Sequence, residues 1–241
     1  MNVYIITGTS KGIGFELAKQ LSEAGHYVVG IARTESELEG VTFIKADLSK
    51  TENLESLMNE IIVAVPENVD SFTLINNAGM VDPIGLIGSV NSEEISKAMA
   101  VNLTAPMIIS NEFISKLKDF DGSKRIVNIS SGAGRNAYEG WGTYCATKAG
   151  LDHFSRVVAI EQLNAKNPVE IVSIAPGIID TGMQETIRSS KEDAFPLLEK
   201  FIDYKEQGQL SSAEQTAEKL ISFIQNENFK EVGPIVDIRN F

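Results

Sequence analysis

Residues 3 to 14 read VYIITGTSKGIG, an apolar and largely β-branched run that breaks into glycines at 8, 12 and 14 and passes without a gap into helical periodicity from Ile13. A glycine turn at a strand-to-helix junction lets the backbone approach a diphosphate, whose charge then meets the free N–H groups and positive dipole of the helix N-terminus. The same glycines also suit a tight turn that needs them only for its dihedrals. The spacing differs from the usual G-x-G-x-x-G. What favours the nucleotide reading is position, since this turn follows the first strand of a strand–helix alternation.

That alternation runs through the whole chain. Strands are expected at 3–7, 27–32, 41–46, 72–76, 125–130, 170–175 and 234–238, most of them apolar on both faces and therefore covered on both sides. Between them, 13–24, 51–64, 92–118, 142–165 and 213–225 carry apolar residues at spacings of three and four, the mark of covering helices. No linker, repeat or low-complexity segment divides the chain. The fold class is α/β: one domain over 1–241, a doubly wound (Rossmann) parallel sheet of seven strands with helices on both faces. The polar, mixed segment 183–211 does not fit the alternation and is expected to be a substrate lid.

Composition narrows the class of function. The chain has 241 residues, 43% of them apolar, enough for a substantial core. A formal charge of −12 argues against nucleic acid or an anionic membrane as partner. One cysteine forms no internal disulfide and fits a reducing compartment. The N-terminus enters a strand at once, without a signal-like segment, and no run approaches the length of a membrane span. The expectation is a cytoplasmic protein with a small-molecule substrate.

The end of the second strand bears on which dinucleotide binds. An acidic residue there binds the ribose hydroxyls of NAD, whereas an arginine suits the 2′-phosphate of NADP. The sequence is GIARTES, with Arg33 after Ala32 and no carboxylate before Glu35. Lys11, in the glycine turn, adds a second cation within reach of the same phosphate. NADPH/NADP⁺ is the expected cofactor.

TGTSKGIG (7–14), DL (47–48), NNAG (76–79), NL (102–103), NISSG (128–132), YCATK (144–148) and PGIIDT (176–181) follow one another in an order and at separations that resemble the short-chain dehydrogenase/reductase family in its compact form. The likeness spans essentially the whole chain. Within that family, LINNAGMVDPIG, GWGTYCATKAG, APGIIDTGMQ and VDIRNF look like the sepiapterin reductase branch and the benzil reductases that form (S)-benzoin.

Tyr144 and Lys148 lie four apart, so on the helix expected over 142–165 they share a face. A phenol with a pKa near ~10 is a poor proton shuttle at neutral pH. An ammonium at ~4 Å, with an effective dielectric of about 20, is worth roughly 4 kcal/mol, or about three pKa units. That interaction is expected to lower the tyrosine pKa.

The resemblance implies the remaining roles. Tyr144 donates the proton; Lys148 binds the nicotinamide ribose and tunes the phenol. Either Ser130 or Ser131 suits the residues alone, and the family spacing chooses Ser131 to bind the substrate oxygen. Asn102 corresponds to the asparagine that holds a relay water and interrupts its helix. For the cofactor the resemblance implies Gly8, Ser10, Lys11, Gly12 and Ile13 at the diphosphate, Asp47 with Leu48 at the adenine, and Asn77, Ala78 and Gly79 along the adenosine ribose. Pro176 and Gly177 shape the turn after the sixth strand, and the Ile179 backbone and Thr181 hydroxyl then hold the carboxamide. Asp47 also suits a plain turn residue, and Asn76 and Asn77 a role in stabilising the sheet.

Tyr138, Trp141, Met183 and the 184–207 segment are expected to enclose the substrate, with Asp237 where sepiapterin reductases carry a pterin-anchoring acid. Neither His26 nor His153 suits catalysis, and no metal site is expected. Cys145, rotated about 100° from Tyr144 on the helix, is expected to pack. The implied activity is reduction of one carbonyl of a vicinal diketone to a chiral α-hydroxy ketone, benzil to (S)-benzoin being the reference case, by a homodimer or homotetramer. The alternatives are a pterin side-chain reductase, a 3-oxoacyl-thioester or sugar reductase, and a non-catalytic NADP-binding redox sensor.

Overall fold

The computed structural model describes residues 1–35 and 37–241. The first apolar run forms β1 (Asn2–Thr7), and the glycine turn leads into α1 (Gly12–Glu23). The chain continues through β2 (Tyr27–Ala32), β3 (Val41–Lys45), α2 (Leu54–Ala64), β4 (Ser71–Asn76), α3 (Ser92–Met99), α4 (Ala105–Lys116), β5 (Ser123–Ile129) and α5 (Gly142–Gln162). It ends with β6 (Glu170–Ala175), α6 (Gly182–Arg188), α7 (Leu198–Glu206), α8 (Ala213–Asn226), α9 (Phe229–Val232) and β7 (Ile235–Asp237). No helix among the described residues is long and apolar enough to cross a membrane.

All seven strands join one parallel sheet in the order β3-β2-β1-β4-β5-β6-β7, which bears out the doubly wound expectation. The direction of winding reverses between β1 and β4, and ligands of such sheets bind in the crevice beyond the carboxyl ends at that reversal. Because helices cover both faces, β1, β2, β4 and β6 are buried at every position after their first. On one face, Ile5, Leu74 and Ile126 pack with Leu54 and Ile61 of α2, Phe113 of α4 and Val158 of α5. On the other, Ile6, Ile75 and Ile174 pack with Leu17 and Leu21 of α1 and Leu220 and Phe223 of α8. Each fully buried aliphatic or aromatic side chain contributes roughly 1.5–3 kcal/mol.

A third cluster stands apart from the sheet, where Trp141, Tyr144, Ile187, Phe195 and Phe201 join the start of α5 to α6 and α7. It gives the irregular 183–211 region two short helices. Three other departures have physical causes. The helix expected over 92–118 is broken by one π-helical turn, Ala100–Thr104, and restarts at α4 with Pro106, which lacks the N–H a continuous ladder would need. β3 is a partly exposed edge strand, not one buried on both faces. β7, the opposite edge, is only three residues long.

Candidate active site

The glycine turn is held shut by the end of β4. Thr7 Oγ1 accepts hydrogen bonds from the Asn77 and Ala78 amides, both at 3.0 Å. Asn77 Nδ2 donates to the Thr7 carbonyl at 2.9 Å and to the Gly8 carbonyl at 3.3 Å. A Cβ on Gly14 would stand 2.3 Å from the Gly8 oxygen and 2.4 Å from Asn77 Nδ2, so only glycine fits. Gly8 has φ +78°, a region L side chains avoid. The Asn77 side chain therefore fixes the turn itself. Behind it, Asn76 Nδ2 donates to Asn128 Oδ1 at 2.8 Å, and Asn128 Nδ2 to Ser155 Oγ at 2.9 Å, a buried polar chain tying β4, β5 and α5 together.

Helix α1 begins at Gly12, with Lys11 at its N-cap in extended conformation, no side-chain cap and no acidic residue in its first turn. Its amide groups at Gly12, Ile13 and Gly14 are a ready anion site. Ser10 is exposed beside it. The Lys11 ammonium lies over the start of α6: Nζ is 3.4 Å from the Cβ position of Gly182, and Lys11 lines a cavity of about 690 Å³ with Asp82, Thr186 and Lys191. Arg33 lines a separate cavity of about 430 Å³ with Lys45, Asp47 and Lys50. The two cations expected to share one phosphate thus line different cavities, with the Lys11 ammonium over the start of α6.

Asp47 Oδ1 accepts from Ser49 N and Oγ at 3.1 and 2.8 Å, a local turn bond. That bond holds its carboxyl below the ordinary range. Leu48 is buried beneath it.

At the other end of the crevice, Tyr144 and Lys148 sit on one buried face of α5. Ser131 caps the short 3₁₀ turn Gly132–Gly134, its Oγ accepting from the Ala133 amide at 3.1 Å, which leaves the hydroxyl hydrogen available. Lys148 Nζ donates to the Ile129 carbonyl at 2.8 Å and lies 5.7 Å from the centre of the Tyr144 ring. Asn102, in the π turn, is buried; its Oδ1 accepts from Met80 N at 2.9 Å and its Nδ2 donates to Met80 O at 2.7 Å and Thr147 Oγ1 at 3.3 Å. A Cβ on Gly79 would lie 3.5 Å from Asn102 Oδ1 and 3.7 Å from Lys148 Nζ, so these groups converge on one glycine.

Burial sets the electrostatics. It pushes the Tyr144 phenol up to about 12 against the opposing pull of the Ser131 hydroxyl. It pushes the Lys148 ammonium down to about 8, with Asp152 opposing. The expected lowering of the phenol by its neighbouring ammonium is therefore reversed. Both groups have lost their hydration, and the ammonium is turned onto the Ile129 carbonyl.

After β6, Ile179 bridges Ser211 through the Ile178 carbonyl and the Asp180 amide, so the amide and carbonyl of Ile179 itself are not used by that bridge. Thr181 caps α6, and its Cγ2 lies 3.5 Å from the Cβ position of Gly12, which brings the PGIIDT turn (Pro176, Gly177) against the glycine turn. The close-fitting glycines, the uncapped α1 and the unused Ile179 backbone fit a nicotinamide dinucleotide.

The substrate-side residues divide. Trp141 is the hub of the third cluster, stacked on Phe195 at 4.9 Å and 15°, and set edgewise against Tyr144 and Phe201. Tyr138 packs on Trp141, with its hydroxyl 3.9 Å from the Cβ position of Gly132, beside Ser131. Met183 packs against the same cluster. Asp237 is not free: Oδ1 accepts from Arg239 N and Nε at 3.1 and 2.9 Å, and Oδ2 from Arg239 Nη2 at 2.6 Å. Cys145 packs partly against the cluster, Sγ 3.7 Å from the Asn136 carbonyl.

Four residues escaped the sequence reading. Thr7 and Thr147 clamp the glycine turn and Asn102. Asp152, buried one helical turn beyond Lys148, accepts from Ser173 Oγ at 2.6 Å and Arg135 Nε at 3.1 Å; its i+4 spacing from Lys148 was a readable signal. The fourth is Arg239.

A family model for short chain dehydrogenase matches residues 2–192. A benzil reductase ((S)-benzoin forming) of Bacillus cereus is 42% identical, over 99% of both chains. One of Bacillus subtilis (strain 168) is 39% identical over 100% of both, and the sepiapterin reductase of Rattus norvegicus is 30% identical over 98% of this chain and 95% of its own. Among solved structures, the KRED1-Pglu enzyme superposes with a TM-score of 0.85 at 27% identity, covering 98% of this chain and 100% of that one.

Proposed function

Because the chain belongs to the short-chain dehydrogenase/reductase family, an oxidoreductase acting on a carbonyl or alcohol with a nicotinamide cofactor, we propose that it is an NADPH-dependent reductase of vicinal diketones. It converts one carbonyl to a chiral α-hydroxy ketone, as benzil to (S)-benzoin. The observation that carries this reading is the convergence of Ser131, Tyr144, Lys148 and Asn102 under an aromatic lid, in a chain that resembles benzil reductases over its full length.

When bound, the reduced nicotinamide supplies a hydride to the carbonyl carbon. The protein's own groups handle the oxygen. Ser131 donates its hydroxyl hydrogen to the substrate oxygen as negative charge develops. Tyr144, with a pKa of about 12, is fully protonated at neutral pH and gives its phenolic proton to the carbonyl oxygen as the hydride arrives and the alkoxide forms. The Lys148 ammonium, still charged below about pH 8, stabilises the phenolate left behind. Asn102 holds the Gly79–Met80 backbone beside that ammonium and keeps the helix open at the π turn. Trp141, Phe195 and Phe201 exclude water, so the segment 183–211 acts as the lid.

NADPH is favoured over NADH by Arg33, with Lys45 and Lys50 around the same cavity and no carboxylate at the end of β2. Asp47 Oδ2, which carries no bond among the described residues, suits the adenine amino group. Engagement of Asp237 by Arg239 disfavours a pterin-anchoring role for that acid. Exposed Val157 and Ile160 on α5, Leu163 at its C-terminal cap and Met107 on α4 favour pairing of copies through these helices.

Purified protein with NADPH and a carbonyl panel, with chiral analysis of the products, tests the reading. Benzil should consume cofactor and give one enantiomer; no turnover on any vicinal dicarbonyl overturns it.

A further inference from the structure

The place expected to hold a substrate-contacting acid holds an ion pair instead. β7 pairs with β6 so that Asp237 stands beside Ala175, the residue just before the Pro176–Gly177 turn. Asp237 is therefore at the carboxyl end of the sheet, on the crevice side. The stem of Arg239 lies over that turn, its Cγ and Cδ each 3.9 Å from the Cβ position of Gly177. The phenols of Tyr138 and Tyr204 are within electrostatic reach of its guanidinium. Both tyrosines belong to the aromatic cluster around Tyr144, so Arg239 stands at the open edge of the substrate enclosure.

The pair fixes how the guanidinium is presented. Nε and Nη2 grip the two Asp237 oxygens in a fork, and the Arg239 amide adds a third bond. Such a two-pronged pair orients the planar group without further contacts. Nη1 carries no bond among the described residues, and the side chain is 67% exposed. Asp237 also cancels the net charge, and Arg135, which donates to the Val236 carbonyl at 2.9 Å, is the other cation near it. What remains free is a set of oriented N–H donors with little net charge behind them, and such donors suit a neutral acceptor oxygen better than a carboxylate.

We propose that Arg239, held by Asp237, is the specificity-determining residue that binds the second, non-reacting carbonyl oxygen of a neutral 1,2-dicarbonyl substrate. This rests on the diketone-reductase reading above and adds the group that distinguishes a diketone from a simple ketone. The reacting oxygen goes to Ser131 and Tyr144; its neighbour goes to Arg239.

The test compares kcat/KM for benzil with that for benzyl phenyl ketone, which keeps both rings and one carbonyl, in the unaltered enzyme, Arg239→Met and Asp237→Asn/Arg239→Met. A hydrogen bond from a charged donor is worth roughly 10- to 100-fold. Arg239→Met should lower benzil turnover by about that factor and leave benzyl phenyl ketone within about threefold. The double variant should behave alike, which separates lost hydrogen bonding from the bare Asp237 charge. Asp237→Asn alone should raise phenylglyoxylate turnover relative to benzil, because the guanidinium then carries net charge. Equal losses on both ketones, or an unmoved benzil value, overturn the proposal while the diketone-reductase reading stands. No turnover of benzil or of any other vicinal dicarbonyl by the unaltered enzyme overturns that reading and this proposal with it.

Discussion

Replacing Arg33 with Asp should reverse the cofactor preference, and its size follows from the charges involved. Arg33 is exposed after β2, makes no ion pair among the described residues, and lines its cavity with Lys45 and Lys50. A 2′-phosphate carries nearly two negative charges at neutral pH. At ~4 Å in water, each pair of unit charges is worth about 1 kcal/mol. Changing Arg to Asp alters the side-chain charge by two, so the swing is about 4 kcal/mol unscreened. Physiological salt, with a screening length of about 8 Å, lowers this to about 2.5 kcal/mol. At physiological salt the kcat/KM ratio for NADPH over NADH should therefore fall by about two orders of magnitude, and by less as salt is raised further. NADH turnover should be preserved, since no fold contact is lost. Steady-state kinetics with both cofactors at two salt concentrations read this directly. An unchanged ratio would refute the assignment of Arg33 to the 2′-phosphate.

Four further outcomes follow from the geometry. Gly14→Ala places a methyl 2.3 Å from the Gly8 carbonyl; overpacking of this kind costs about 1–3 kcal/mol or more, so calorimetry should show a lower Tm and titration a weaker NADPH complex. Reductive turnover should fall as pH rises through about 8, where Lys148 loses its proton, and Asp152→Asn should move that limb to lower pH because the carboxylate raises the lysine pKa; a limb that stays put contradicts the coupling. The same shift, from 10.5 unfolded to about 8 folded, means that between these values the unfolded chain binds more protons. Stability should therefore rise with pH over that window, and Lys148→Met should remove the slope. Phe195→Ala removes a fully buried ring stacked on Trp141 at a cost of about 3–5 kcal/mol. Since that cluster is separate from the sheet cores, kcat/KM for the ketone should drop while Tm falls by less than the ~2–4 °C per kcal/mol of a global loss.

The sheet was legible because its signals are local. β-branched runs bounded by glycine gave every strand to within two residues, and the 3.6 period placed Tyr144 and Lys148 on one face. Three features escaped because they depend on tertiary contact. The Lys11 ammonium lies over the start of α6, and no property of the glycine turn reveals it. The occupation of Asp237 depends on Arg239 folding back two residues later, which spacing permits without requiring. The reversed shift of the Tyr144 phenol comes from burial in the folded chain, where water loss outweighs the Ser131 hydrogen bond, and no local spacing reveals that. Periodicity also read 92–118 as one helix, since a π turn leaves the apolar pattern almost intact; Asn102 followed four residues later by Pro106 was the available sign.

The most direct test of Tyr144 as proton donor is a single-turnover measurement of NADPH oxidation by benzil, comparing the unaltered protein with Tyr144→Phe. General acid catalysis of this kind contributes about 10²- to 10⁴-fold, so the hydride-transfer step should slow by that factor while NADPH affinity stays within about threefold. A Tyr144→Phe enzyme that transfers hydride at the unaltered rate would contradict the account.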